Sequence, residues 1–302
     1  MTPFADRLAE EVRRAGNPLC VGFDPRWDSL PLALRAKYGG ETLEGVAAAF
    51  EIFSLRVLEL VASRVGVVKP QSAFFEACGP AGLTALQKVI RRAKELGLIV
   101  ILDSKRGDIA STATAYADAA FGGSVIDGSR HAVWAADALT VNPYLGADAI
   151  EPFVSSARQS GGGVFVLVRT SNPGSALFQD LKCDDQKLYR HVAAAVTRWN
   201  EAGIGACGLG DVGAVVGATH PMELGELRAT MPAVWFLVPG YGAQGGSAND
   251  VAAAFRPDGL GAIINSSRGI TFPFHPDDAN WESAIVVATE RATTDLRAVA
   301  RR

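Results

Sequence analysis

Two carboxylates and a lysine fall within one short stretch, LIVILDSKRGDIAST, at Asp103, Lys105 and Asp108. Asp103 and Lys105 are two residues apart, so on a β-strand, where side chains alternate, they share a face. Asp108 lies past Gly107, where the chain can leave the strand. It can bring a second carboxylate to the ammonium, offer it to a neighbouring subunit, or cap a helix beginning near Ser111. An Asp-Lys-Asp array offsets the desolvation that otherwise lowers a buried lysine's pKa, and so keeps a protonated amine available as a general acid. The plainer reading is an ion-pair network closing a strand.

A second lysine, Lys69, ends the apolar run of VGVVKPQSAFFE, with Pro70 interrupting any ordinary internal ladder after it. Further along, PGYGAQGG at 239–246 and NSSRGI at 265–270 follow apolar runs. Glycines let backbone N–H groups approach phosphate oxygens, and the Gln244 amide and Arg268 guanidinium add side-chain donors. Either segment alone fits a tight turn with a surface arginine; together they read as a grip on a phosphomonoester. Neither has the glycine and lysine spacing of a P-loop or dinucleotide fingerprint, so no nucleotide cofactor is indicated.

The elements that must position these residues follow from hydrophobic period. Eight short apolar or β-branched runs occur at Leu19–Phe23, Val65–Lys69, Leu98–Lys105, Ala138–Asn142, Gly163–Thr170, Gly213–Gly217, Val234–Pro239 and Gly261–Asn265. Several are nearly continuous in Val, Ile and Leu, as strands covered on both faces should be. Between them, Thr42–Arg64, Ala81–Leu96, Gln186–Ala202, Asp250–Arg256 and Asp278–Arg301 carry apolar residues at three- and four-residue steps and are predicted helical. The alternation predicts an α/β fold, a closed (β/α)8 TIM barrel with added terminal helices, in one domain over 1–302. An open doubly wound sheet is the competing architecture. In such a barrel the chemistry sits at the C-terminal strand ends, and there the sequence places Asp24, Lys69, Asp103, Lys105, Asn142, Ser171, Gln244 and Arg268. The stretch 122–136, with Arg130, His131 and Trp134, is expected to decorate a helix or an interface.

Composition narrows the function classes. The 302 residues are 48% hydrophobic, enough for a large core, and 29 basic against 32 acidic residues leave a net charge of −3. No global field favours nucleic acid or an anionic membrane, so an anionic ligand must be held locally. The four cysteines, Cys20, Cys78, Cys183 and Cys207, form no C-x-x-C pair and have no histidine at metal-ligand spacing, and no metal is expected. The opening MTPFADRLAEEVRRAG lacks an uninterrupted apolar core, and no run approaches the ~18 apolar residues of a membrane span. A soluble, cytoplasmic protein is expected.

Taken together the motifs resemble the orotidine 5′-phosphate decarboxylase family, from Leu19 to about Ile270. The family's Asp-x-Lys-x-x-Asp core, followed by Ile and a later Thr, stands here as Asp103, Lys105, Asp108, Ile109 and Thr112. VGFDP, KPQSAFFE, TVNPYLG, RTSNPGS, VVGAT, PGYGAQGG and NSSRGI follow in the family's order, with wording closest to its longer bacterial branch. The resemblance implies conversion of orotidine 5′-phosphate to UMP and CO2 in de novo pyrimidine biosynthesis, without a cofactor. It implies a charged tetrad of Lys69, Asp103, Lys105 and Asp108 in a homodimer, with Asp108, Ile109 and Thr112 supplied across the interface. It places Asp24 and Lys69 at ribose hydroxyls, Ser171 at the pyrimidine edge with Asn172 as its competitor, and Gln244 with Arg268 at the phosphate.

Two other classes remain at this point. Sugar-phosphate decarboxylases or aldol-type synthases of the same barrel share the Asp-x-Lys-x-x-Asp core but use a divalent metal with further acidic ligands. Here the second strand ends in Lys69, with Glu76 nearby in sequence. A non-catalytic phosphate-ligand binding protein is the third reading, since fold alone does not imply function.

Overall fold

A computed structural model describes residues 2–242 and 246–301. Eight parallel strands close into a barrel: β1 (Leu19–Phe23), β2 (Val67–Pro70), β3 (Ile99–Arg106), β4 (Ala138–Val141), β5 (Gly163–Arg169), β6 (Val212–Val216), β7 (Phe236–Val238) and β8 (Ala262–Ser266). β1 pairs with both β8 and β2, which removes the sheet edges that the open alternative would leave.

Alternation along each strand separates two apolar layers. Leu19, Val21, Val68, Val100, Leu139 and Val164 face outward and pack against helices such as Leu43–Val61, Gly79–Glu95 and Trp281–Ala300. Cys20, Val67, Ile99, Ala138, Phe165 and Ile263 point inward and fill the barrel's lower half. The amphipathic helix Phe4–Ala15 closes the bottom, with Phe4 edge-on to Phe165 at 6.2 Å between ring centroids. Thr42 begins Leu43–Val61 by accepting a hydrogen bond from the Gly45 N–H at 3.1 Å.

All eight predicted strands are present, within a few residues. β6 starts one residue early and slips register between Val215 and Val216, and β2 runs on to Pro70. Two local expectations need correction. The predicted helix over Asp250–Arg256 is a 3-10 helix at Asn249–Ala254, a short connector of six residues that ends where Phe255 turns extended. The stretch 122–136 is not helical: Ser124–Ile126 and Ser129–His131 form an antiparallel hairpin turning at Asp127-Gly128, both with positive φ. Arg130 donates to the Gly122 carbonyl at 3.1 Å, and Trp134 packs against the outer core. Among the described residues, no helix is long and apolar enough to cross a membrane.

Candidate active site

The inward alternation that fills the barrel with apolar side chains changes character in its uppermost layer. One step above Val67, Ile101 and Ala138 stand Lys69, Asp103 and Thr140, all buried. The facing strands contribute Leu167, Val215, Leu237 and Asn265. Of these seven side chains four are polar and three apolar.

Asp103 is its centre. Lys69 Nζ lies 2.5 Å from Asp103 Oδ2, and Lys105 Nζ lies 2.7 Å from Oδ1. Thr140 Oγ1 donates to Oδ1 at 2.9 Å. Burial alone would raise the Asp103 carboxyl, but the two lysines outweigh it and hold the group well below the usual carboxylate range. Burial alone would likewise lower Lys69, and Asp103 with Asp24 reverses the sign and raises it. Asp103 and Lys69 are therefore both ionised near neutral pH. Lys69 is nearly enclosed, with 6% of its side chain exposed, whereas Lys105 keeps 46% and faces open space. Cys20, one layer lower, is pushed up to about 12 by burial and stays a neutral thiol.

Two chambers meet at Lys69, Asp103 and Pro239. One, of about 420 Å³, is lined further by Lys105, Thr140, Ser171, Asn172 and Gln179. The other, of about 170 Å³, is lined by Asp24, Tyr241, Asn265, Ser267 and Arg268. Asp24 Oδ1 and Asn265 Oδ1 are buried acceptors with no hydrogen-bond donor among the described residues. A larger cavity of about 630 Å³ lies on the outer wall between Leu188–Asn200 and Pro221–Thr230, away from these charges. Volume alone does not mark the chemistry.

The structure thus gathers Asp24, Lys69, Asp103, Lys105, Ser171 and Arg268 around one bipartite cavity. Asp108, Ile109 and Thr112 line neither chamber. The Asp108 carboxylate accepts from the Ile109 N–H at 2.8 Å just before the helix Ala110–Ala120, so within one chain it does not reach the Lys105 ammonium. Gln244 falls outside the described residues. Simple alternation also does not explain how Lys105 meets Asp103. β3 advances from Leu102 to Arg106 while β4 advances only from Leu139 to Val141, and Lys105 takes φ 47° within this bulge.

Three residues escaped the reading of the sequence. Thr140 was discoverable, being two residues beyond the inward Ala138. Gln179 and Arg169 gave no signal, because their partners are distant in sequence or set by a loop. Arg169 is buried at the end of β5, 2.7 Å from Glu223 and 3.3 Å from Asp180. The Thr170 N–H donates to Gln179 Oε1 at 2.9 Å and Gln179 Nε2 donates to Thr170 Oγ1 at 2.8 Å. Thr170 Oγ1 donates to Asn172 Oδ1 at 2.7 Å, so the segment carrying Ser171 is tied down on both sides.

Comparison with known proteins points to a single family. The model of the orotidine 5′-phosphate decarboxylase / HUMPS family matches residues 17–279. The orotidine 5′-phosphate decarboxylase of Rhodopirellula baltica is 48% identical over 98% of this chain and 100% of its own length. That of Deinococcus radiodurans is 44% identical over 90% of each chain. The structure of Leishmania donovani OMP decarboxylase superposes with a TM-score of 0.76 at 35% identity, covering 100% of both chains. The chain belongs to the orotidine 5′-phosphate decarboxylase / HUMPS family.

Proposed function

We propose that the barrel mouth decarboxylates orotidine 5′-phosphate to UMP and CO2, with no metal or organic cofactor, through the charge array centred on Asp103. The observation that carries this reading is the Lys69–Asp103–Lys105 array, in which Lys69 is nearly enclosed at the waist while the outer lysine keeps 46% of its side chain exposed toward the larger chamber. Arg268 takes the phosphate at the smaller chamber, with Gln244 of the neighbouring segment as its second donor by resemblance to the family; Asp24, in the smaller chamber, and Lys69, at the waist, take the ribose, and Ser171 reads the pyrimidine edge in the larger one.

The C6–carboxylate bond breaks with its electron pair left on C6, where the pyrimidine offers no ordinary electron sink. A preorganised ammonium stabilises that developing charge without reorganisation. Lys105 then delivers its Nζ proton to C6, giving UMP, and regains one from water. Asp103 holds Lys105 aimed through their 2.7 Å ion pair, and its own charge near the departing carboxylate disfavours the bound substrate relative to the transition state, a secondary effect.

The composite site belongs to this proposal as well. Ile109 and Tyr144, on the loops leaving β3 and β4, are 60% and 82% exposed, which suits a second copy docking at the mouth. In that homodimer Asp108, Ile109 and Thr112 complete the partner's site. The reading treats 1–302 as one barrel domain of a cytoplasmic enzyme.

The test is the loss of orotidine 5′-phosphate absorbance with purified protein in EDTA. Metal-independent turnover is expected. Turnover that EDTA abolishes points to the metal-dependent sugar-phosphate enzymes of this barrel type, and no turnover by folded protein points to a binding role.

A further inference from the structure

Thr140 carries more hydrogen bonds into the charged centre than any single strand residue needs for packing. Its side chain is buried at 1% exposure in the uppermost inward layer of β4. Oγ1 accepts from the Ser104 N–H at 3.1 Å and from the Lys105 N–H at 2.9 Å. A hydroxyl has two lone pairs and one proton. With both lone pairs taken by backbone N–H groups, the proton is left for Asp103 Oδ1, 2.9 Å away.

These three contacts fall on the irregular part of β3. The register slip between Leu102 and Arg106 removes Ser104 and Lys105 from the ordinary ladder with β4. Their N–H groups need another acceptor, since buried backbone donors are seldom left unpaired. Lys105 also holds φ 47°, a conformation that non-glycine residues adopt only where their surroundings enforce it. Thr140 Oγ1 supplies that enforcement at the Lys105 N–H itself.

We propose that Thr140 is the positioning residue of the decarboxylation site: one hydroxyl pins the Lys105 backbone in its bulge and the Asp103 carboxylate in its rotamer, fixing the proton donor relative to C6. The role rests on the decarboxylase reading and deepens it. Thr140 does not exchange protons with substrate. It sets the distance between the Lys105 ammonium and the reacting carbon, where a displacement of about 1 Å costs on the order of 10²-fold in rate.

The experiment compares Thr140→Val and Thr140→Ser with the wild type, measuring kcat and KM for orotidine 5′-phosphate and the affinity for UMP. Valine keeps the shape and removes the hydroxyl, so kcat should fall about 10²-fold while KM and UMP affinity stay within about two- to three-fold, the product being held mainly by its phosphate and ribose. Serine keeps all three hydrogen bonds and should restore kcat to within about five-fold of wild type. If Thr140→Val does not fold, Thr140→Cys takes its place, and kcat should rank serine above cysteine at similar KM. Near-wild-type kcat in the hydroxyl-free variant, parallel losses in kcat and UMP affinity, or no rescue by serine would each overturn the role. A wild-type protein that binds UMP but does not turn over orotidine 5′-phosphate would overturn the decarboxylase reading itself, and this role with it.

Discussion

At each end of the barrel a buried carboxylate is bracketed by two cations. At the C-terminal mouth, Asp103 takes Lys69 and Lys105 at 2.5 and 2.7 Å. At the closed end, Asp137 takes Arg7 and Lys94 at 2.8 and 2.6 Å and accepts from the Val100 N–H at 2.9 Å. The distances are nearly the same, and the surroundings are not. Around Asp137 the cations come from the helices Phe4–Ala15 and Gly79–Glu95, and Arg7 spends a second donor on the Gly161 carbonyl at 2.9 Å. That cluster locks the floor of the barrel. Around Asp103 the cations come from the strands themselves, and Lys105 faces a chamber of about 420 Å³. An ion cluster becomes a candidate for chemistry only where one of its members has somewhere to deliver a proton.

Removing one member from each end sharpens the contrast. Lys105→Ala should lower kcat by about 10³-fold or more, the upper part of the range for losing a positioned general acid. Its side chain is 46% exposed, so stability should change by about 1 kcal/mol or less, seen as an almost unmoved urea midpoint. A near-normal kcat would remove Lys105 from the proton-donor role. Asp137→Ala should do the reverse. It strands the Val100 N–H and two cations, but Arg7 and Lys94 are 30% and 38% exposed and can turn to water, so about 2–3 kcal/mol of stability is lost. The kcat and KM of the folded fraction should stay within about two-fold, and a selective loss of kcat would show that the two ends are coupled.

The smallest expected effect is on the pH dependence of stability. Asp103 titrates below its ordinary ~4, so its contribution is complete above that pH and is lost as the pH falls through the lowered value. Lys69 titrates above its ordinary ~10.4, so its contribution is complete below that pH and is lost as the pH rises through the raised value. Urea midpoints should therefore be insensitive to this pair between about pH 5 and 9 and fall on either side. In Asp103→Asn the acid fall should become shallower; an unchanged acid limb would mean that Asp103 contributes little to it.

The number and order of the strands were legible because parallel strands buried on both faces leave apolar runs that period alone detects. The position of the site was legible because barrel chemistry sits at strand C-termini, and Asp24, Lys69, Asp103, Lys105 and Arg268 stand there. The hairpin at 124–131 was missed although Asp127-Gly128 is a hairpin-turn signal, because strands of three residues, with Val125 and Ile126 adjacent, carry too little alternation to be read as strands. The sequence by itself thus determined which residue types occur, at which strand ends, and in what order around the barrel. Tertiary structure decided which of them meet. The β3 bulge brings Lys105 to Asp103, a hydroxyl from the neighbouring strand holds that bulge, and Gln179 ties down the segment bearing Ser171. Each of these depends on register and on contacts across more sequence than local propensity can see.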